Sequence, residues 1–162
     1  MEKQRGTMMK VCNFYVSQWH LAMTLIPYLK TNMEQYEVGT LFERDMLDRV
    51  QILLSKIPME EQKKKEILAL NWYQETEKQM KQLPRKQDKM WIIAGNQSYV
   101  EEKNRWVDEW RKNYPEENIK IVNCYYLEEN QMNMKDIMQK HQKILSTNGE
   151  KEIQEFQNQK IS

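Results

Sequence analysis

The feature that most constrains this chain is an unbroken apolar run, Met90-Trp91-Ile92-Ile93-Ala94, closed by Gly95-Asn96. A strand with one wet face alternates apolar and polar residues, whereas a continuous run requires cover on both faces. The run therefore predicts a central strand with helices above and below it. The stretches around it fit that frame. Val11-Cys12-Asn13-Phe14-Tyr15-Val16 is β-branched and aromatic and reads as a first strand, with Ser17 placed to cap a helix reaching about residue 32. Pro27 inside that helix removes a backbone donor and predicts a kink or break.

Residues 37–42 read as a second strand weakened by Gly39, and Met46, Leu47, Val50, Leu53, Leu54 and Ile57 recur at helical spacing until Pro58. The run 67–72, Ile-Leu-Ala-Leu-Asn-Trp, is short enough to be either a third strand or the end of a helix begun near residue 59; the strand is the reading taken. The polar stretch 73–89 reads as a short exposed helix and a loop. After the strand at 90–94 come a helix over 98–113, a fifth strand over 119–127 and a helix from Met134 to Leu145, with Asn148-Gly149 as its left-handed cap.

Strands alternating with helices imply βαβ units. The predicted fold is α/β: a single doubly wound, mostly parallel five-stranded sheet with helices on both faces. Its strand order is Rossmann-like (3-2-1-4-5) or flavodoxin-like (2-1-3-4-5). Residues 11–148 form the domain, 1–10 an N-terminal tail and 149–162 a polar C-terminal tail that Ile153, Phe156 and Ile161 are placed to dock as a last short helix.

Composition narrows the function classes. The 25 basic and 24 acidic residues leave a net charge of +1, so no overall field attracts nucleic acid or an anionic membrane, although a local patch survives such averaging. The apolar stretch from Trp19 to Leu29 contains His20 and falls short of the ~20 residues a membrane span needs. No signal-type apolar segment follows the N-terminus, and a cytoplasmic location is expected. Two cysteines and two histidines without clustered spacing predict no metal site, and Cys12 and Cys124 read as reduced core thiols.

Ligands of open parallel sheets bind beyond the carboxyl ends of the strands, where strand order reverses. That rule selects Ser17 and His20 after the first strand, Glu43 after the second, Asn71 after the third, and Gly95, Asn96 and Ser98 after the fourth. Ala94-Gly95-Asn96-Gln97-Ser98 is the nearest approach to an anion cradle, yet it lacks both the dinucleotide glycine spacing and the Gly-Lys-Ser/Thr of a phosphate loop. The plain alternative is a tight turn with Ser98 capping a helix through a Ser-x-x-Glu box to Glu101. His20 is either a general base oriented by Glu43 or Asp45, or a histidine bonded within its own helix. No cofactor is implied.

The five tryptophans, eight tyrosines and twelve methionines read as core filler or as an interaction face. The expectation is a small cytoplasmic, non-enzymatic binding protein. It acts through a protein partner, a second copy of itself, or a small anionic, nucleotide-like ligand at the strand ends. The competing reading is a small enzyme on a phosphorylated or nucleotide-like substrate with His20 as acid/base.

Overall fold

The computed structural model describes residues 6–43, 47–69, 88–127 and 133–155. In chain order the elements are β1 (Met8–Tyr15), α1 (Gln18–Asn32), β2 (Tyr36–Phe42), α2 (Leu47–Lys56), α3 (Glu61–Leu68), β3 (Asp88–Gly95), α4 (Gln97–Lys112), β4 (Ile119–Tyr126), α5 (Met134–Gln139), β5 (Lys143–Ser146) and β6 (Gly149–Glu152). They build one α/β layer structure around a six-stranded sheet in the order β2-β3-β4-β1-β5-β6. All pairings are parallel except the β5–β6 hairpin.

Alternation along the strands sorts side chains onto two faces. On the first face Val11, Ile92 and Val122 pack with Leu25 and Ile26 of α1, Leu54 of α2 and Ile67 of α3. On the second face Cys12, Trp91, Ile93 and Ile121 pack with Val107 and Trp110 of α4 and Ile137 of α5. The run that anchored the prediction, Met90 to Ile93, is wholly inaccessible to solvent, as cover on both faces requires. Trp110 meets Trp91 edge to face at 5.7 Å, so these two of the five tryptophans are core.

The structure corrects the expectation in several places. The sheet has six strands, and its order is neither of the two expected: β1 lies between β4 and β5, three places from β2. Ile67 and Leu68 end α3 and do not open a strand, because Ile67 fills a first-face position against α1. The rest of that run, 70–72, and the expected exposed helix and loop up to residue 87 lie outside the described residues.

The helix expected to reach Leu145 stops at Gln139. Its last apolar residues belong to β5, where Ile144 and Leu145 point to opposite faces beside β1. The spacing of His141 and Leu145 imitates a helix, but the edge of β1 offers backbone partners that periodicity cannot reveal. Gly149, at φ +98°, follows the two-residue turn Thr147-Asn148 of a hairpin; it is not a helix cap.

The sheet also begins before residue 11 and continues past 148, through Gly149–Glu152 to a buried Ile153. Phe156 and Ile161 lie outside the described residues. Pro27 does not break α1, which runs from Gln18 to Asn32. Pro27 faces solvent, so the one missing bond is offset by burial of Leu25, Ile26, Tyr28 and Leu29 around it. Gly39 strengthens β2's fit instead of weakening it: a Cβ there would lie 2.1 Å from the Trp91 ring on the paired strand.

Candidate functional site

At their carboxyl ends β1 and β2 lead into helices of the first face, whereas β3 leads into α4 on the second. Chain departing to both faces opens a crevice above the sheet. A cavity of about 470 Å3 lies there, its floor made by Tyr15, Leu21, Phe42 and Ala94. Its rim carries Ser17 and Gln18 after β1, Glu43 after β2, and Gly95 and Asn96 at the end of β3.

The expected crevice had the strands at 11 and 90 as neighbours. In the structure β4 lies between them and contributes Tyr126. Ser17, Glu43, Gly95 and Asn96 are nonetheless brought together. His20 and Ser98 do not line the cavity, and Asn71 lies outside the described residues.

The rim is organised by two helix starts. Ser17 caps α1, its Oγ accepting from His20 N at 3.1 Å, while His20 Nδ1 accepts from Val16 N at 3.2 Å. This reciprocal pair satisfies one first-turn donor of α1 and the N–H just before the cap, and gives His20 a structural task. Asn96, not Ser98, caps α4: its Oδ1 accepts from Tyr99 N at 2.8 Å. Glu101 accepts instead from the Gln97 side chain at 3.0 Å, so the Ser98 box does not form.

Gly95 has an ordinary backbone angle, and its small size serves close approach. A Cβ would meet Tyr99 Cδ1 at 2.7 Å and Glu43 Cβ at 3.0 Å. That approach brings Glu43 to the start of α4, where its Oε1 lies 3.4 Å from Asn96 N and its own N donates to Ala94 O at 2.9 Å.

These contacts decide the electrostatics. A helix start with free N–H groups attracts anions, but here side chains of the chain itself occupy both starts, and one of them is a carboxylate. Among the described residues lining the cavity, Glu43 is the one carboxylate, and none is Lys or Arg. Burial, reinforced by Cys124, Glu43 and Tyr126, pushes the Tyr15 phenol above its usual range and keeps it a proton donor. The Tyr15 and Tyr126 rings, paired in register across β1 and β4, sit 5.5 Å apart. Sequence reasoning missed these tyrosines and Phe42, although each stands at the last position or two of an aromatic-rich strand.

The remaining reactive groups lie elsewhere. Burial raises the Cys12 thiol to about 12 and pushes Cys124 up as well, so neither is a ready thiolate. The two cysteines belong to cores on opposite faces of the sheet. Among the described residues no three His, Cys, Asp or Glu side chains are grouped to hold a metal, and no helix is long and apolar enough to cross a membrane.

Fold and crevice together define a mostly parallel α/β domain with an open strand-end pocket. Comparison with known proteins finds no matching family model, no matching curated protein and no matching solved structure.

Proposed function

We propose that this chain is a small, non-enzymatic, cytoplasmic binding protein whose ligand occupies the strand-end crevice. The observation that carries the reading is the convergence of an apolar floor with a polar rim in one cavity of about 470 Å3. That combination is typical of small-molecule sites. The ligand class follows from the rim. Glu43 accepts, Asn96 and Gln18 present amide donors, and the tyrosine pair offers ring faces. A planar ligand bearing N–H or O–H donors and little negative charge suits this set better than a phosphate, which would face the Glu43 carboxylate.

The acid/base role for His20 lacks support, because its Nδ1 is engaged by Val16 N and its ring lies outside the lining. A second reading, a protein partner closing over the crevice, is favoured by the exposure of Val16 (60%) and Tyr126 (39%) at the mouth.

Thermal-shift measurement against nucleosides, nucleotides, cyclic dinucleotides, sugar phosphates and inorganic phosphate tests the proposal. A ligand at 100 times its Kd adds about 2.7 kcal/mol, or roughly 5–10 °C for a domain of this size. Uncharged nucleosides are expected to outperform their phosphorylated forms, and the shift should vanish in a folded Glu43→Gln/Asn96→Ala variant. A shift that survives in that variant, or none with any compound, would remove the small-ligand reading and leave the protein partner.

A further inference from the structure

The second face of the sheet holds a buried polar network in an otherwise apolar core. Along β4 the inward row on this face reads Ile119, Ile121, Asn123, Tyr125, and Asn123 is only 1% exposed. Asn123 and Asn104 of α4 bond each other reciprocally at 2.7 and 3.1 Å, and Asn104 also donates to Val100 O at 2.7 Å. Asn123 Nδ2 lies 3.0 Å from His141 Nε2, and His141 Nδ1 lies 2.7 Å from Ile137 O. A carbonyl only accepts, so the ring proton sits on Nδ1, and Nε2 accepts from Asn123. The Tyr125 hydroxyl lies 3.5 Å from the same nitrogen.

This network ties α4, β4 and the chain just after α5 into the floor of a concavity of about 320 Å3. Its walls carry three cations from three elements: Lys10 of β1, Arg105 of α4 and Lys140 beyond α5. None of the three forms an ion pair with a described residue. Glu101 is the one carboxylate of the lining, and the Gln97 side chain already donates to it. The charges facing His141 are therefore Lys10, Arg105, Lys140 and Glu101. Burial first, and then Lys10 and Lys140, hold its imidazole down at about 4. In a chain whose net charge is only +1, this concavity concentrates positive charge over fixed, neutral polar groups.

We infer that this concavity receives a small oxyanion group, a phosphate, sulfate or carboxylate, gripped by Lys10, Arg105 and Lys140 above the Asn104–Asn123–His141 floor. Arg105 supplies a planar fork and the lysines supply point charges, a set suited to a tetrahedral or planar oxyanion. The site is separate from the strand-end crevice and does not depend on how that crevice is read.

His141 is a built-in reporter. Its Cε1–H resonance is followed by NMR against pH with inorganic phosphate, sulfate or acetate, each matched in ionic strength by chloride. The expected result is a saturable shift with at least one anion and a rise of about one unit in the His141 midpoint, as a nearby anion favours imidazolium. Which probe saturates identifies the oxyanion class. Arg105→Gln, an exposed position on α4 that leaves the core untouched, should weaken binding at least tenfold, and the Lys10→Gln/Arg105→Gln/Lys140→Gln variant should abolish it. Responses no different from chloride with all three probes, or an Arg105→Gln protein that binds as wild type, would overturn the inference.

Discussion

Trp91 and Gly39 show how one residue position sets the tolerance of a strand. The indole takes the space a side chain at 39 would need, with the nearest ring carbon 2.1 Å from an added Cβ. Trp91 is fully buried on an interior strand of the sheet and has little room to move. Gly39→Ala should therefore lower stability by about 2–3 kcal/mol, measured as a reduced urea midpoint at unchanged slope. His141 gives a pH signature of known sign. Its folded midpoint, about 4, lies below the 6.5 of an unperturbed imidazole, so between these values the unfolded chain binds more protons. Stability is then full above pH 6.5 and declines as pH falls towards 4, by at most about 3 kcal/mol from this group. His141→Gln should be less stable than wild type at pH 7 but show a shallower decline across that window in paired urea titrations. For the thiols, burial of Cys12 and Cys124 on opposite faces predicts that oxidant forms no internal disulfide and that a thiol reagent labels the native chain only as fast as it opens.

Two elements depend on single polar residues. The start of α4 is held by the Asn96 side chain, and Asn96→Ala should cost about 1 kcal/mol, with helix α4 losing amide-exchange protection first. The β5–β6 hairpin is held by Glu150 of β6. Its carboxylate meets Lys120 of β4 and the Tyr28 hydroxyl of α1, and lies 3.5 Å from Lys143 of β5. Burial pushes this carboxyl up, but hydrogen bonds from Lys120 and Tyr28, with the lysine charges, outweigh it and leave the group below its ordinary range. The folded form of Glu150 is thus favoured above the normal carboxylate range and loses that advantage in acid, the same direction as His141. Lys120 is only 9% exposed and rests over the Tyr28 and Tyr36 rings. Glu150→Ala would strand that charge and should cost about 3 kcal/mol, visible as a lower thermal midpoint, whereas Glu150→Gln should recover part of the loss.

At the level of the whole molecule, the first strand of the chain is completed only by the last ones. β1 has β4 on one side and β5 on the other, while β2 and β3 reach it only through β4. A fragment ending at residue 116 keeps β1, β2 and β3 but lacks the strand that joins them. It should show no cooperative urea transition by circular dichroism, whereas the whole chain should show one. The same topology carries β1, β2, β3 and β4 to the common crevice, so ligand binding there should stabilise the entire sheet rather than one lobe.

The sequence by itself determined the layer class, because side-chain periodicity is a local property. The run at 90–94 demanded two covered faces, the apolar stretch after residue 17 supplied a buried helix, and the stripes beginning near residues 46 and 98 supplied amphipathic ones. The strand-end rule could also gather Ser17, Glu43, Gly95 and Asn96, since each lies at or just past the end of a strand and needs no knowledge of strand order. Tertiary structure alone decided the rest. The stretch after Gln139 became a hairpin because β1 offered an open edge, and Ile67 stayed helical because α1 offered an apolar partner. Strand order placed Tyr126 in the crevice, close approach at Gly95 set Glu43 against α4, and convergence of β1, α4 and the chain after α5 gathered Lys10, Arg105 and Lys140. Each of these is a meeting of residues far apart in the chain, and no local pattern encodes it.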